Sequence, residues 1–284
     1  MRLNLLLVLA AIFLAATQAQ AAGDAFDAST KNLVQASALA DVDAAVPGST
    51  FMLGVKQKIK KGWHTYWVNP GDSGEATRIT CKGPAGVTFG AIQWPLPTRM
   101  EHEGTVTFGY EDEVLLLIPV SVAPDAKLPA QVAIDIEASW LSCDISNCIE
   151  GDAKLTVKLP AGEKANKANA ELFETWRSRL PVAASASNEA LAKFTQLTKT
   201  DPLLTFDAKW NIKPAKVEWF PVSTKAAAFD TVTVKHAGDT TTISVKASIF
   251  RANQLDKPFT SVLVYVDEKG NRRGVTLPFE VAEK

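Results

Sequence analysis

Apolar and polar residues alternate along most of the chain, the period of a strand with one face buried. In "TFMLGVKQKI", residues 50–59, Phe51, Leu53, Val55 and Ile59 share a face. "VTFGAIQW" follows the same pattern up to Trp94. "QVAIDIEASW" is the clearest case: Val132, Ile134, Ile136, Ala138 and Trp140 point one way, and Asp135, Glu137 and Ser139 the other. "VLLLIPVSV", 114–122, is continuously apolar and predicts a buried strand. Pro119 within it marks a bulge or an edge, because proline has no N–H for a ladder. "AKLTVKL" (153–159) completes the set, and clusters such as "NPGDSG" (69–74) and "WPLPTR" (94–99) are turn and loop chemistry between strands. Many short strands separated by turns predict a β-sandwich.

The period changes after residue 160. "AGEKANKANAELFETWRSRL" is rich in helix formers, Leu172, Phe173, Trp176 and Leu180 fall at helical spacing, and Pro181 ends the run. A second short helix is expected over "NEALAKFTQL", 188–197. Strand patterns then return in "LLTFDA", "AKVEWFPV", "DTVTVKH", "TTISVKASIF", "SVLVYVDEKG" and "GVTLPFEV". The fold class expected is all-β: a sandwich over 22–161, a helical connector over 162–198, and a second sandwich over 199–284.

Residues 1–21 stand outside this pattern. Arg2 is followed by an apolar run from Leu5 to Ala16 and by Ala19-Gln20-Ala21, small residues at the spacing of a signal-peptidase site. The run is too short to span a bilayer as a helix. A secretory signal cleaved after Ala21 is expected, with the periplasm or exterior as destination, where disulfides persist. No later stretch has the apolar length of a membrane span. Apolar residues make up 46% of the chain, enough for real cores, and the net charge of −1 carries no polybasic face of the kind a nucleic-acid binder needs.

Three cysteines are too few for a disulfide-built scaffold, so the cores hold the fold. Catalytic hydrolysis finds little support in three histidines, His64, His102 and His236, without G-x-S-x-G or H-E-x-x-H. Structural zinc would need a second ligand pair. Met100 and His102, two apart in "RMEHE", are a soft donor pair suited to copper, against the plainer reading of an exposed loop. Cys143 and Cys148, in "WLSCDISNC", remain. A disulfide closing about six residues contributes roughly 2 kcal/mol by chain entropy, against about 4 for a loop of tens of residues. The pair is thus a weak staple, and an exchangeable dithiol and a local brace stay open together. Asp144, Glu150 and Asp152 flank it and disfavour a thiolate, so attack by a partner's low-pKa cysteine suits it better than attack by its own. Cys81, in "RITCKGP", is expected as a buried, inert thiol.

"GWHTYWVNPGDSG" (62–74), "IQWPLPTR" (92–99), "FGYEDEVLLLIPV" (108–120) and "WLSCDISNCIEGDAKLTVKLP" (140–160) together resemble the periplasmic amino-terminal region of the DsbD/ScsB family of thiol–disulfide interchange proteins. The likeness covers about 45–160. "KVEWFP" (216–221) resembles, less specifically, the second periplasmic sandwich of ScsB-type members. The resemblance implies immunoglobulin-like sandwiches and a redox pair, Cys143 and Cys148, on a hairpin at one end. That pair would take electrons from a thioredoxin-like or membrane thiol reductase and pass them to periplasmic client proteins, with no cofactor. A cap loop would fall within 99–108, with Met100, His102 and Phe108 as candidates. Trp63, Tyr66 and Trp67 match the family's aromatic motif, as core packing or partner contact. Full-length members continue into a membrane domain and a thioredoxin-like domain, and neither is present in this sequence, so the reductase is expected in trans. The alternative is a non-catalytic periplasmic binding protein, for a protein partner or copper, braced by a structural Cys143–Cys148 disulfide.

Overall fold

The computed structural model describes residues 33–184, 190–195, 197–200, 203–221, 227–249, 259–279 and 281–282. The expected signal segment, 1–21, lies outside them.

The first sandwich is built from β1 (Val34–Ala40), β2 (Thr50–Ile59), β3 (Thr65–Gly71), β4 (Arg78–Lys82), β5 (Val87–Phe89), β6 (Thr98–His102), β7 (Thr105–Tyr110), β8 (Glu113–Val122), β9 (Gln131–Cys143) and β10 (Cys148–Pro160). They form three sheets, ordered β1-β2-β8-β5, β10-β9-β4 and β3-β7-β6. The alternation read from the sequence is what buries them. Leu53 and Val55 of β2, Ile134 and Ile136 of β9 and Leu155 and Val157 of β10 are all nearly inaccessible. Each such side chain is worth about 1.5–3 kcal/mol of burial. β8 is buried almost throughout, as its unbroken apolar run predicts. Pro119 lies inside β8 where β5 breaks away: its carbonyl accepts the Gly90 N–H at 2.8 Å, and pairing resumes only at Gln93↔Leu117. The missing proline donor therefore faces a bulge.

The connector holds one helix among the described residues, α1 (Ala170–Arg177). It is packed on the first sandwich, with Phe173 and Trp176 in that core and Arg177 ion-paired with Asp41. The second helix expected over 188–197 is not formed among the described residues of that range, 190–195 and 197. Leu191–Phe194 is strand β12, paired with Ala208–Trp210, because Ala190 and Leu191 fill the second core from an extended backbone.

The second sandwich comprises β11 (Val182–Ala183), β12, β13 (Leu197–Thr200), β14 (Leu203–Trp210), β15 (Lys216–Pro221), β16 (Ala227–Ala237), β17 (Thr240–Ile249), β18 (Phe259–Val266), β19 (Arg272–Phe279) and β20 (Val281–Ala282). Its sheets are ordered β11-β19-β18-β15 and β16-β17-β14-β13-β20, with β12 also on β14. Trp210, Trp219, Tyr265 and Leu277 lie in its core. The β15–β18 side is covered on both faces. Trp219 and Leu263 face the second core, while Phe220, Val262 and Val264 join the first. Phe220 meets Phe108 and Trp67 edge-on, with ring centroids 5.1 and 6.1 Å away. Asn69 Nδ2 donates to the Pro221 carbonyl at 2.6 Å, and Arg272 donates to the carbonyls of Leu96 and Pro97. The architecture is all-β, two immunoglobulin-like sandwiches joined by a short helical connector.

Candidate functional site

The β9–β10 ladder runs in continuous register from Gln131↔Pro160 to Cys143↔Cys148. The last pair is therefore a cross-strand neighbour pair, with Cα atoms 4.2 Å apart, and it is joined as a disulfide. A four-residue loop, Asp144-Ile145-Ser146-Asn147, closes the hairpin. Asp144 builds it. Its N–H donates to the Asn147 carbonyl at 2.9 Å, and its Oδ1 accepts the N–H groups of Ser146 and Asn147 at 2.8 and 2.7 Å. This is the local bonding that makes Asp a turn residue. The donated N–H groups of Ser146 and Asn147 hold the Asp144 carboxyl below its ordinary range, and the charge of His64 acts in the same direction. Ile145 projects from the loop at 75% exposure.

The two cysteines sit in different surroundings. Cys148 is exposed on the outer strand β10, whereas Cys143 is 2% exposed, between β10 and the start of β3. His64 lies directly across from it. The His64 N–H donates to the Cys143 carbonyl at 2.9 Å, and the Cys143 N–H donates back at 3.0 Å. Directly opposed residues share one face of a sheet. His64, Cys143 and Cys148 therefore form one row across three strands. The His64 ring is edge-on to Tyr66, with its Nε2 3.1 Å from the Tyr66 hydroxyl. Tyr66 in turn is pressed under Gly74, where a Cβ would stand 2.2 Å from the ring and φ is +105°. Burial pulls the His64 pKa below its ordinary value, and the Asp144 carboxylate acts in the opposite sense.

Strand alternation divides the aromatic motif between two faces. His64 and Tyr66 face the disulfide side, while Thr65 and Trp67 face inward, Thr65 donating to Gln57 at 3.0 Å. Trp67 is 2% exposed and packed on Phe220, so it offers no surface to a partner. Trp63 is partly buried against the first core. The segment expected as a cap, 99–108, is the β6–β7 hairpin, turned by Glu103 and Gly104, both at positive φ, the geometry of a two-residue primed turn. Met100 lies on the Tyr66 side of that ribbon, its Cε 3.2 Å from where a Cβ on Gly109 would stand. His102 is exposed beside Glu103, with its Nε2 3.9 Å from the carboxylate. Phe108 points the other way. It is 7% exposed and set edge-on against Phe220, which excludes it as a cap: alternation assigns it to the face opposite Thr107 and Gly109.

His64 is the residue that sequence reasoning passed over. Only its position between Trp63 and Tyr66 hinted at it, since nothing local links it to a cysteine 79 positions later (143 − 64). Cys81, on β4 opposite Ile136, is half-buried and unpaired, and burial pushes its thiol up to about 11, which keeps it protonated and inert. Among the described residues, no group of three or more His, Cys, Asp or Glu side chains converges as a metal site.

An immunoglobulin-like sandwich with a disulfide across its open hairpin end, one cysteine exposed and one enclosed, has the architecture of a thiol–disulfide interchange domain. The family model for the amino-terminal region of thiol:disulfide interchange protein DsbD matches residues 30–160, and this part of the chain belongs to that family. The crystal structure of the N-terminal periplasmic domain of ScsB from Proteus mirabilis covers 90% of this chain, and 98% of its own length is covered. Its TM-score is 0.69 at 17% identity, so it shares the fold across both sandwiches. The reduced N-terminal domain of DsbD from Neisseria meningitidis aligns over 46% of this chain and 89% of its own length, at 14% identity. Its TM-score of 0.27 adds nothing to the fold argument. No curated protein sequence matches this chain. No helix among the described residues is long and apolar enough to cross a membrane.

Proposed function

We propose that this protein is a periplasmic thiol–disulfide interchange module. The Cys143/Cys148 pair relays reducing equivalents from a thioredoxin-like or membrane thiol reductase, supplied in trans, to periplasmic client proteins. The observation that carries this reading is the asymmetry of the two cysteines. Exchange needs one sulfur open to a partner and a second at hand to resolve the mixed disulfide. Cys148 is open at the surface, and Cys143 is enclosed beside it.

The roles follow from that asymmetry. A reductase thiolate attacks Cys148 Sγ, the Cys143–Cys148 bond breaks, and Cys143 leaves with the electron pair. The reductase's second thiol then attacks the mixed disulfide and releases Cys148. Both cysteines end as thiols, and the reductase ends as a disulfide. Towards a client disulfide the same steps run in reverse: Cys148 attacks first and Cys143 resolves. The β6–β7 hairpin, with Met100 on the Tyr66 side, takes the shielding role between partners.

Trapping tests the assignment. Cys143→Ser should accumulate mixed disulfides through Cys148 in periplasmic extracts, and Cys148→Ser should capture none. If neither variant captures a protein, and the pair's reduction potential lies below about −300 mV, where structural disulfides sit, the pair is a brace and the relay reading fails.

A further inference from the structure

Cys143 has an unsolved proton problem in this relay. When it resolves a mixed disulfide it must lose a proton, and when it is expelled from the disulfide it must gain one. It is 2% exposed, so it has little access to water. A thiolate there would be desolvated, with the Asp144 carboxylate next in sequence, and both effects raise the cost of the charge. The row across the hairpin end supplies a solution. His64 is bonded to Cys143 through both backbone groups, at 2.9 and 3.0 Å, and projects from the same face.

Resting on the relay reading, we propose that His64 is the proton partner of Cys143. In the resolving step Cys148 is joined to a client sulfur. As the Cys143–Cys148 bond forms, the Cys148–client bond breaks and the client sulfur leaves as a thiolate. The Cys143 thiol proton passes to the His64 imidazole, and from there to solvent or to the departing thiolate. The Cys143/Cys148 pair loses two electrons, and the client disulfide gains them. In the reductase direction the imidazolium returns the proton as Cys143 leaves.

Three features fit His64 to this task. Burial keeps the imidazole neutral at neutral pH, the form that accepts a proton. Its Nε2 lies 3.1 Å from the Tyr66 hydroxyl. With Nε2–H donating to that oxygen, Nδ1 is left as the acceptor, so Tyr66 is a positioning residue for the ring. The charged group acting on His64 is the Asp144 carboxylate, which stabilises the imidazolium once it forms. The Tyr66 hydroxyl stays neutral because burial raises its pKa.

Oxidised glutathione provides a probe in two phases: attack by Cys148, then resolution by Cys143 with release of the second glutathione. Both phases should be timed from pH 5 to 9 on the reduced protein, the His64→Gln and His64→Ala variants, and Tyr66→Phe. The expected resolution rate of the unmodified protein rises to a plateau through one ionisation lying below 6.5. In His64→Gln the plateau should vanish, the rate should climb about tenfold per pH unit, and resolution at pH 7 should slow about a hundredfold, the scale of general base catalysis. The first phase reports an intact hairpin and should change little. Tyr66→Phe should shift the ionisation without abolishing the plateau. A resolution rate and pH profile unchanged in His64→Gln would overturn the proposal while leaving the relay standing. An unmodified pair that does not react with oxidised glutathione at all would overturn both.

Discussion

The two sandwiches have similar architectures and divided contents. The first holds all three cysteines, the row His64–Cys143–Cys148 and the hairpin that projects Ile145. The second has no cysteine, and its core is built on Trp210, Trp219 and Tyr265. Yet they are not independent. The β3–β7 ribbon carries His64 and Tyr66 on its outer face, and its inner face, Trp67 and Phe108, is closed by Phe220 of the second sandwich. One sandwich carries the chemistry, and the other lies directly behind the strand that presents it. A few large side chains of the second core thus back the ribbon that stands beside the disulfide hairpin of the first.

Phe220→Ala attacks this joint most strongly. The side chain is fully buried between the two cores, and truncating such a phenylalanine costs about 3–5 kcal/mol. Denaturant unfolding should show one transition in the unmodified protein. In the variant it should show an earlier loss of the second sandwich, with the Cys143–Cys148 hairpin still folded. A single transition at an unchanged midpoint would show that the cores do not support each other.

Ile145→Asp probes the other side of the comparison, the surface that a partner must cover to reach Cys148. Ile145 is the most exposed of the large apolar side chains among the described residues. Burying part of it against a partner is worth about 1.4 kcal/mol, on the scale of apolar area transfer. Exchange with a protein thiol partner should therefore slow about tenfold, while exchange with dithiothreitol and the unfolding midpoint stay as they are. Equal slowing with both thiols would mean that the substitution disturbs the disulfide itself.

The smallest effect is expected at Asp144. Its pKa is lowered in the folded protein, so the loop bonds to Ser146 and Asn147 are fully present above the ordinary carboxylate value of 3.8. They are lost as pH falls through the lowered one. Protection of the Ser146 and Asn147 amides, measured against intrinsic exchange at the same pH, should hold at neutral pH and be lost in that acid window. In Asp144→Ala protection should be absent at every pH. The second sandwich should show no matching change.

Much of the fold was legible in the sequence. The alternation in Gln131–Trp140 and the apolar run in Val114–Val122 correspond to β9 and β8, and Pro119 marked its bulge. Residues 188–197 misled because a four-residue apolar pattern suits either period. Leu191 became a strand residue only because the edge of β14 and a place in the second core were open to it. Phe108 and Trp67 were legible as aromatic residues of the motif, but which way each faced depended on the pairing of β3 with β7. His64 was invisible as a site residue for the same reason.

The sequence by itself determined the strands, two sandwich patterns, the cysteine pair and the family of the first domain. Strand period, turn chemistry and cysteine spacing are local properties of the chain. Only the tertiary structure decided that Cys148 is open and Cys143 enclosed, that His64 stands beside Cys143, and that Phe220 closes the back of the same ribbon. Those relations join residues far apart along the chain, and they exist only once packing has selected a register and a face for each strand.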